Sequence, residues 1–445
     1  MNKVTLLLLM SFLLFSGCGG GGSSETQSNL QEELETSNHA IFKKFNVGFG
    51  GSVSFPFSSN DNELIWMTNK SLLLDENISY NGYYAGIKDL NVTAFSKLQS
   101  HLKKSKFLIF WFAEGWQESW YDTENIQTLM NLGYIPVFSY WYFGDQLLGG
   151  MPSKEKQAQY EEDNLRVANF LATLEGEKML IMEPEFNKIP VLESSATQHE
   201  FASIISKAID IIKAKNPTLL FSLSMMDKGA RNVNNKSVAC GYENCAYGDK
   251  YIWKSSEIVF TDLLDKLDFI SFHQMIGEFS RDYTNLGGWN SPNPKKFTDD
   301  EVGIDFLAER ILNLSTFLHE KYNKPVFIPY IGIMSATWED TNSNNKIEDN
   351  EIHYNQWENK ITNTYKRLSE LKPTLKANGL FGFAPMALFD NPRQDYGGYQ
   401  YFMNNEYHLG IIGSGATDET DKASYGDLYF KGNNVLEYIF DNNGF

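Results

Sequence analysis

Two carboxylates, Glu183 and Glu185, follow the apolar run Met179-Leu180-Ile181-Met182 and bracket Pro184. A charge at the end of so apolar a run must be solvated, paired or used, because burying it alone is costly. A carboxyl in such a place can serve as a general acid or base once its surroundings tune its pKa. Two further stretches carry aromatics and carboxylates together. One is Phe110-Trp111-Phe112-Ala113-Glu114-Gly115-Trp116, the other Ser139-Tyr140-Trp141-Tyr142-Phe143-Gly144-Asp145. Flat rings beside glycine in a loop suit stacking against a ligand, and carboxylates beside them suit its hydroxyls. Candidate contacts are therefore Trp111, Glu114, Trp116, Trp141 and Tyr142. Two other apolar runs close on His273-Gln274 and Tyr330, which can orient polar groups. Further carboxylates that could complete a catalytic pair are Glu278, Asp227 and Asp390.

These residues share one property: each lies at or just beyond the C-terminal end of a short β-rich run. The runs are 45–53, 107–112, 135–142, 179–183, 219–224, 269–274, 325–331 and 380–387. Helical patterns at 154–174, 199–215, 304–321 and 354–371 alternate with them, an order that implies parallel strands with helical crossovers. Most of the runs are apolar throughout, as expected when both strand faces are covered. Eight of them predict a single (β/α)8 barrel with loop insertions over 41–445, the stretch 60–105 being long for one crossover. In such a barrel the site forms at the C-terminal strand ends. An open doubly wound sheet is the alternative. Its phosphate-binding turn is not matched by Gly48-Phe49-Gly50-Gly51-Ser52-Val53, which lacks that glycine spacing.

The placement of Glu183-Pro184 resembles the fourth-strand motif of the large clan of barrel glycoside hydrolases, Asn-Glu-Pro, whose Glu is the acid/base. The resemblance implies a carbohydrate substrate, Glu183 as general acid/base, and His273 near the substrate or nucleophile. It departs in two places. Met182 stands where the clan has Asn. The seventh run, Lys324-Pro325-Val326-Phe327-Ile328-Pro329-Tyr330-Ile331-Gly332, carries Tyr330 and no nucleophilic Glu. Glycoside hydrolysis usually requires two carboxyls, and Glu185, Glu278, Glu114, Asp227 and Asp390 are open as the second. A barrel that binds glycan without cleaving it is the alternative function.

Residues 1–17 carry Lys3 and a short apolar run, the pattern of a signal peptide. Ser16-Gly17-Cys18 resembles a lipobox, which implies lipidation of Cys18, and 18–40 reads as a flexible tether. The expected location is the bacterial envelope, anchored in a membrane, with the outer membrane favoured by Gly19. Export fits a disulfide between Cys240 and Cys245; a metal pair is the alternative, with no His or further Cys nearby. The stretch 340–351 resembles the calcium loop of EF-hand and dockerin proteins. Asp340, Asn342, Asn344, the Lys346 carbonyl, Glu348 and the bidentate Glu351 occupy its ligand positions, which implies a structural Ca2+. Across 445 residues the net charge is −18, and 14% are aromatic. The acidity argues against nucleic acid, whose phosphates need a basic face. No zinc helix, nucleophile elbow or phosphate loop is present.

Overall fold

The computed structural model describes residues 39–50, 97–98, 100–121, 123–227, 250, 253–276, 306–335, 337–338, 342, 352–353, 357–389, 409–414 and 428–441. The chain divides into two units, Met1–Lys44 and Phe45–Phe445. Of the first, the described part is a single 3-10 turn, Ala40–Lys43.

The second unit is a closed barrel of eight parallel strands. They are β1 (Asn46–Phe49), β2 (Phe107–Ala113), β3 (Ile135–Trp141), β4 (Met179–Met182), β5 (Leu220–Met226), β6 (Ile270–Ile276), β7 (Val326–Ile333) and, after a two-stranded ribbon, β10 (Leu380–Pro385). The ribbon is β8 (Thr337–Trp338) paired antiparallel with β9 (Ile352–His353). Beyond the barrel, β11 (Ala387–Phe389), β12 (Gly410–Ser414) and β13 (Leu428–Phe430) form a small sheet. The helices are α1 (Thr123–Asn131), α2 (Lys154–Ala172), α3 (Ile189–Leu192), α4 (Ser195–Lys213), α5 (Glu257–Leu263), α6 (Leu307–Tyr322), α7 (Glu358–Ala377) and α8 (Val435–Phe440). All eight expected strands are present, with ends shifted by a few residues. Helix α7 starts later than the expected 354 and runs through Pro373 to Ala377.

The alternation of each strand divides two environments. Leu180 and Met182 of β4 join the core between strands and helices, with Phe138 and Tyr140 of β3 and Leu223 of β5. Residues of the other parity fill the barrel. At its N-terminal end Phe107, Phe269, Phe327 and Phe381 pack ring against ring, with centroids 4.9–6.3 Å apart. Gly382 admits this plug, since a Cβ there would meet Asn46 O at 2.4 Å and the Phe107 ring at 2.9 Å. One layer higher Ser222 and Ser271 hydrogen-bond at 2.9 Å. The sealed floor leaves the C-terminal mouth as the place for a site.

Helix ends hold the framework in register. Ser153 caps α2 by accepting from Lys156 N, and Ser194 with Thr197 forms a capping box on α4. These contacts satisfy N–H groups that a helix start otherwise leaves unpaired. Among the described residues no helix is long and apolar enough to cross a membrane.

Candidate active site

Four strands bring their C-terminal ends to one carboxylate, Glu185. Tyr330 of β7 donates its hydroxyl to Glu185 Oε1 at 3.2 Å. His273 Nε2 of β6 stands 3.3 Å from the same oxygen, without the alignment of a hydrogen bond. Lys188 donates its ammonium to Glu185 Oε2 at 2.7 Å and to Asp145 Oδ1 at 2.9 Å. The His273 and Tyr330 rings stack with centroids 4.2 Å apart, and Trp111 of β2 tilts over Tyr330 at 5.2 Å. Ser224 of β5 meets His273 Nδ1 at 3.3 Å.

Burial alone would raise the pKa of Glu185. The Lys188 ammonium, and then His273, hold it well below the usual carboxylate range. Lys188 is buried too, which works against its charge, but Glu185 and then Asp145 push its pKa up. The pair is therefore ionised across the physiological range. Glu185 keeps a small exposed face, and the Asp145 side chain is largely exposed.

Glu183 lies elsewhere. Both Glu183 and Glu185 adopt left-handed backbone conformations, with φ of 37° and 66° on either side of Pro184. The turn sends Glu183 toward the seam between β3 and α2, where it is fully buried. Its Oε2 accepts from Phe143 N at 3.1 Å. Burial pushes its pKa up to about 8, opposed by Phe143 N–H, the Tyr160 hydroxyl and the Tyr142 backbone and reinforced by the Asp163 charge. Its Oε1 has no hydrogen bond of full geometry. Two carboxylates separated by one proline thus carry opposite pKa shifts.

Other expected contacts take structural positions. Trp116 is a core residue and not a cleft wall: it is completely buried, packs on Phe112 and Phe170, and donates to Asp163 Oδ2 at 3.1 Å. Tyr142 is buried against Tyr140, Phe143 and Tyr160 under the Lys156 ammonium. Glu114 is partly exposed and bonded to Lys156 and Gln146; burial works to raise its pKa, but those two partners lower it. Trp141 lies against Gly144. Gln274 and Asp227, rather than facing a ligand, belong to a sealed cluster. Asp227 Oδ2 accepts from Gln274 Nε2 at 2.5 Å and Arg310 Nε at 2.6 Å. Its Oδ1 accepts from Arg310 Nη2 at 2.8 Å and Trp253 Nε1 at 2.9 Å.

The sequence reading passed over Lys188, whose signal was its place three residues after Glu185, the spacing of a local ion pair. Asp145, at the end of its aromatic stretch, is the second partner of Lys188. Glu278, Asp390, Cys18, Cys240, Cys245 and, Asn342 apart, the ligands expected in 340–351 lie outside the described residues. Asn342 is exposed. Among the described residues no three His, Cys, Asp or Glu side chains are grouped to hold a metal.

A closed parallel barrel with an ionised carboxylate at its mouth is the class that fold and site define. Solved structures similar to the chain include the family 1 β-glucosidase from Thermotoga maritima in complex with isofagomine lactam, at 12% identity and TM-score 0.45, covering 89% of this chain and 96% of that one. The Thermotoga maritima β-glucosidase in complex with noeuromycin matches at 14% identity and TM-score 0.44, covering 90% and 98%. No protein-family model and no curated relative matches the chain. The chemistry of the site is accordingly read from its own residues.

Proposed function

We propose that the chain is a glycoside hydrolase acting on a poly- or oligosaccharide, with Glu185 at the centre of its site. The observation that carries this reading is the convergence of Glu185, His273, Tyr330 and Trp111 from four strand ends on one point of the barrel mouth. An ionised carboxylate there can stabilise or capture the positive charge that develops at an anomeric carbon as a glycosidic bond breaks. Trp111 and Tyr330 are themselves buried, and they pack with His273 as the wall behind this carboxylate. Glu185 cannot also protonate the leaving oxygen, because Lys188 keeps it ionised. That proton falls to a second carboxyl, for which Glu278 and Asp390 are the candidates. Glu183, buried against α2, is not assigned the acid/base role that its motif implies.

One observation favours the rival reading of a glycan-binding barrel without catalysis: Lys188 neutralises Glu185. The discriminating experiment measures new reducing ends from a polysaccharide panel, with Glu185→Gln and Glu183→Gln beside the native chain. Hydrolysis lost at least about a hundredfold in Glu185→Gln and retained in Glu183→Gln at pH 7 supports the proposal; removing one well-placed catalytic group has an effect of this order. Loss confined to Glu183→Gln overturns it. Glycan binding by all three proteins without hydrolysis establishes the rival.

We further propose a lipid anchor at Cys18 and an envelope location, on the residues around that cysteine, to be checked by incorporation of labelled palmitate that Cys18→Ala abolishes. The residues of 340–351 fit calcium in donor chemistry, and β8 with β9 brings the two flanks of that stretch together. Asp340, Asn342, Asn344, the Lys346 carbonyl, Glu348 and Glu351 would hold the ion. Calorimetric titration with calcium, native against Glu351→Gln, tests it.

A further inference from the structure

Strand parity would place Glu183 and Glu185 on the same side as Met179 and Ile181. The turn at Pro184 separates them instead, and it does so through two left-handed non-glycine residues. Such a conformation is costly for any residue with a Cβ and persists only where its surroundings hold it. Three backbone hydrogen bonds contribute: Glu183 N to Tyr140 O at 2.8 Å, Phe186 N to Glu183 O at 3.1 Å, and Glu185 N to Ser224 O at 3.1 Å. On the mouth side the turn is tied by Glu185 itself. On the helix side its side-chain tie is the Glu183 carboxyl, bonded to Phe143 N. Phe143 precedes the 3-10 turn Gly144–Gly149 that carries Asp145, the second partner of Lys188. The Glu183 carboxyl thus joins the two segments whose residues hold Lys188.

We propose that Glu183 is a positioning residue, whose carboxyl clamps the Glu183-Pro184-Glu185 turn to the β3 end so that Glu185 is presented to His273 and Tyr330. This deepens the proposed function, since it rests on Glu185 being the working group of the mouth. Burial, and with it the Asp163 charge, favours the neutral form of Glu183, against the Phe143 N–H, the Tyr160 hydroxyl and the Tyr142 backbone, which favour the ionised one. Tyr140 and Tyr142 approach it from β3 and the segment that follows, Tyr160 and Asp163 from α2. Arg166 of α2 is committed to Asp163 at 2.5 Å. Among the described residues no Lys, Arg or His lies within ion-pair distance of Glu183. Ionising it sets a second charge beside Asp163 in a buried seam, and the seam must shift or admit water to accommodate that charge even as the Phe143 N–H bond strengthens.

The test reads geometry and does not depend on finding the substrate. Histidine-labelled protein is followed by NMR through the His273 ring signal, assigned by its loss in His273→Gln. Native protein, Glu183→Gln, Glu183→Leu and Glu185→Gln are compared from pH 6 to pH 10. The native His273 signal should shift with a midpoint near pH 8. Glu183→Gln, an uncharged isostere, should give the native signal at pH 6.5 and lack that step. Glu183→Leu should move the signal toward that of Glu185→Gln at every pH. An identical pH course in native protein and Glu183→Gln overturns the proposal, and this comparison decides alone if the leucine variant does not fold. A folded Glu183→Leu with an unshifted signal also overturns it. If no carbohydrate is bound or cleaved, the glycosidase reading fails while the NMR outcome still decides the positioning role.

Discussion

Two buried ion pairs lie at the C-terminal end of this barrel, and they are built for opposite ends. In Asp227–Arg310, among the described residues, the two carboxylate oxygens accept four hydrogen bonds from Arg310, Gln274 and Trp253, and Asp227 has no exposed surface. In Glu185–Lys188 the carboxylate shares its oxygens with Tyr330 and His273 and keeps an exposed edge, while the ammonium reaches out to a solvent-exposed Asp145. A buried charge is tolerable when its partners and hydrogen bonds are complete. The first pair meets that condition and fastens β5, β6 and α6 together. The second meets it only in part, and the open edge is what a ligand can use.

The largest effect is expected where the network is most complete. Asp227→Ala removes the carboxylate that accepts from Arg310 Nε and Nη2, and it should cost about 3–5 kcal/mol, the usual consequence of breaking a buried pair. Denaturant unfolding checks it. A cost below about 1 kcal/mol would mean that Arg310 finds another partner, and the contrast between the two pairs would fall.

The next effect comes from Glu183 and is read against pH. Its folded pKa of about 8 lies above the ordinary 4.5, so the folded protein binds more protons between those values. Stability from this group is present in full below pH 4.5 and declines by up to about 1.4 kcal/mol per unit as pH rises toward 8. Glu183→Gln should remove this slope. Glu185 runs the other way: its depressed pKa gives stability present above 4.5 that is lost only in acid. Unfolding free energies at pH 5, 6, 7 and 8 separate the two carboxylates.

Those opposite behaviours also mark the limit of what the chain disclosed before its structure. Alternating apolar runs and helical patterns located all eight barrel strands, because burial of both strand faces leaves a continuous apolar signature. The same logic pointed to the turn Glu183-Pro184-Glu185 and to His273 and Tyr330, and the fold brings Glu185, His273 and Tyr330 together. It could not tell the two glutamates apart. Their separation depends on left-handed backbone at non-glycine residues, for which no residue type is a signal. Trp116 failed for a related reason: a loop tryptophan beside glycine looks like a ligand platform until Asp163, forty-seven positions away, is seen to take its N–H. Asp227 and Gln274 were misread because Arg310 comes from a distant helix. Local spacing carries local partners, such as Glu185 with Lys188, and is silent about remote ones.

The open pair supplies the two smaller effects. Glu185→Gln leaves Lys188 with Asp145 as its remaining anion, so it should cost about 1–3 kcal/mol, less than Asp227→Ala. Asp145→Asn should cost least, at most about 1 kcal/mol, because an exposed carboxylate is already well solvated when unpaired. Its effect should also shrink in high salt, which screens a surface charge far more than a buried one. Measuring both variants at low and high salt sharpens the comparison further. If Asp145→Asn proves as costly as Glu185→Gln, and salt does not diminish it, then Asp145 is shielded in solution and Lys188 is sealed on both sides. The mouth would then hold a second structural pair, and the case for Glu185 as a working group would weaken with it.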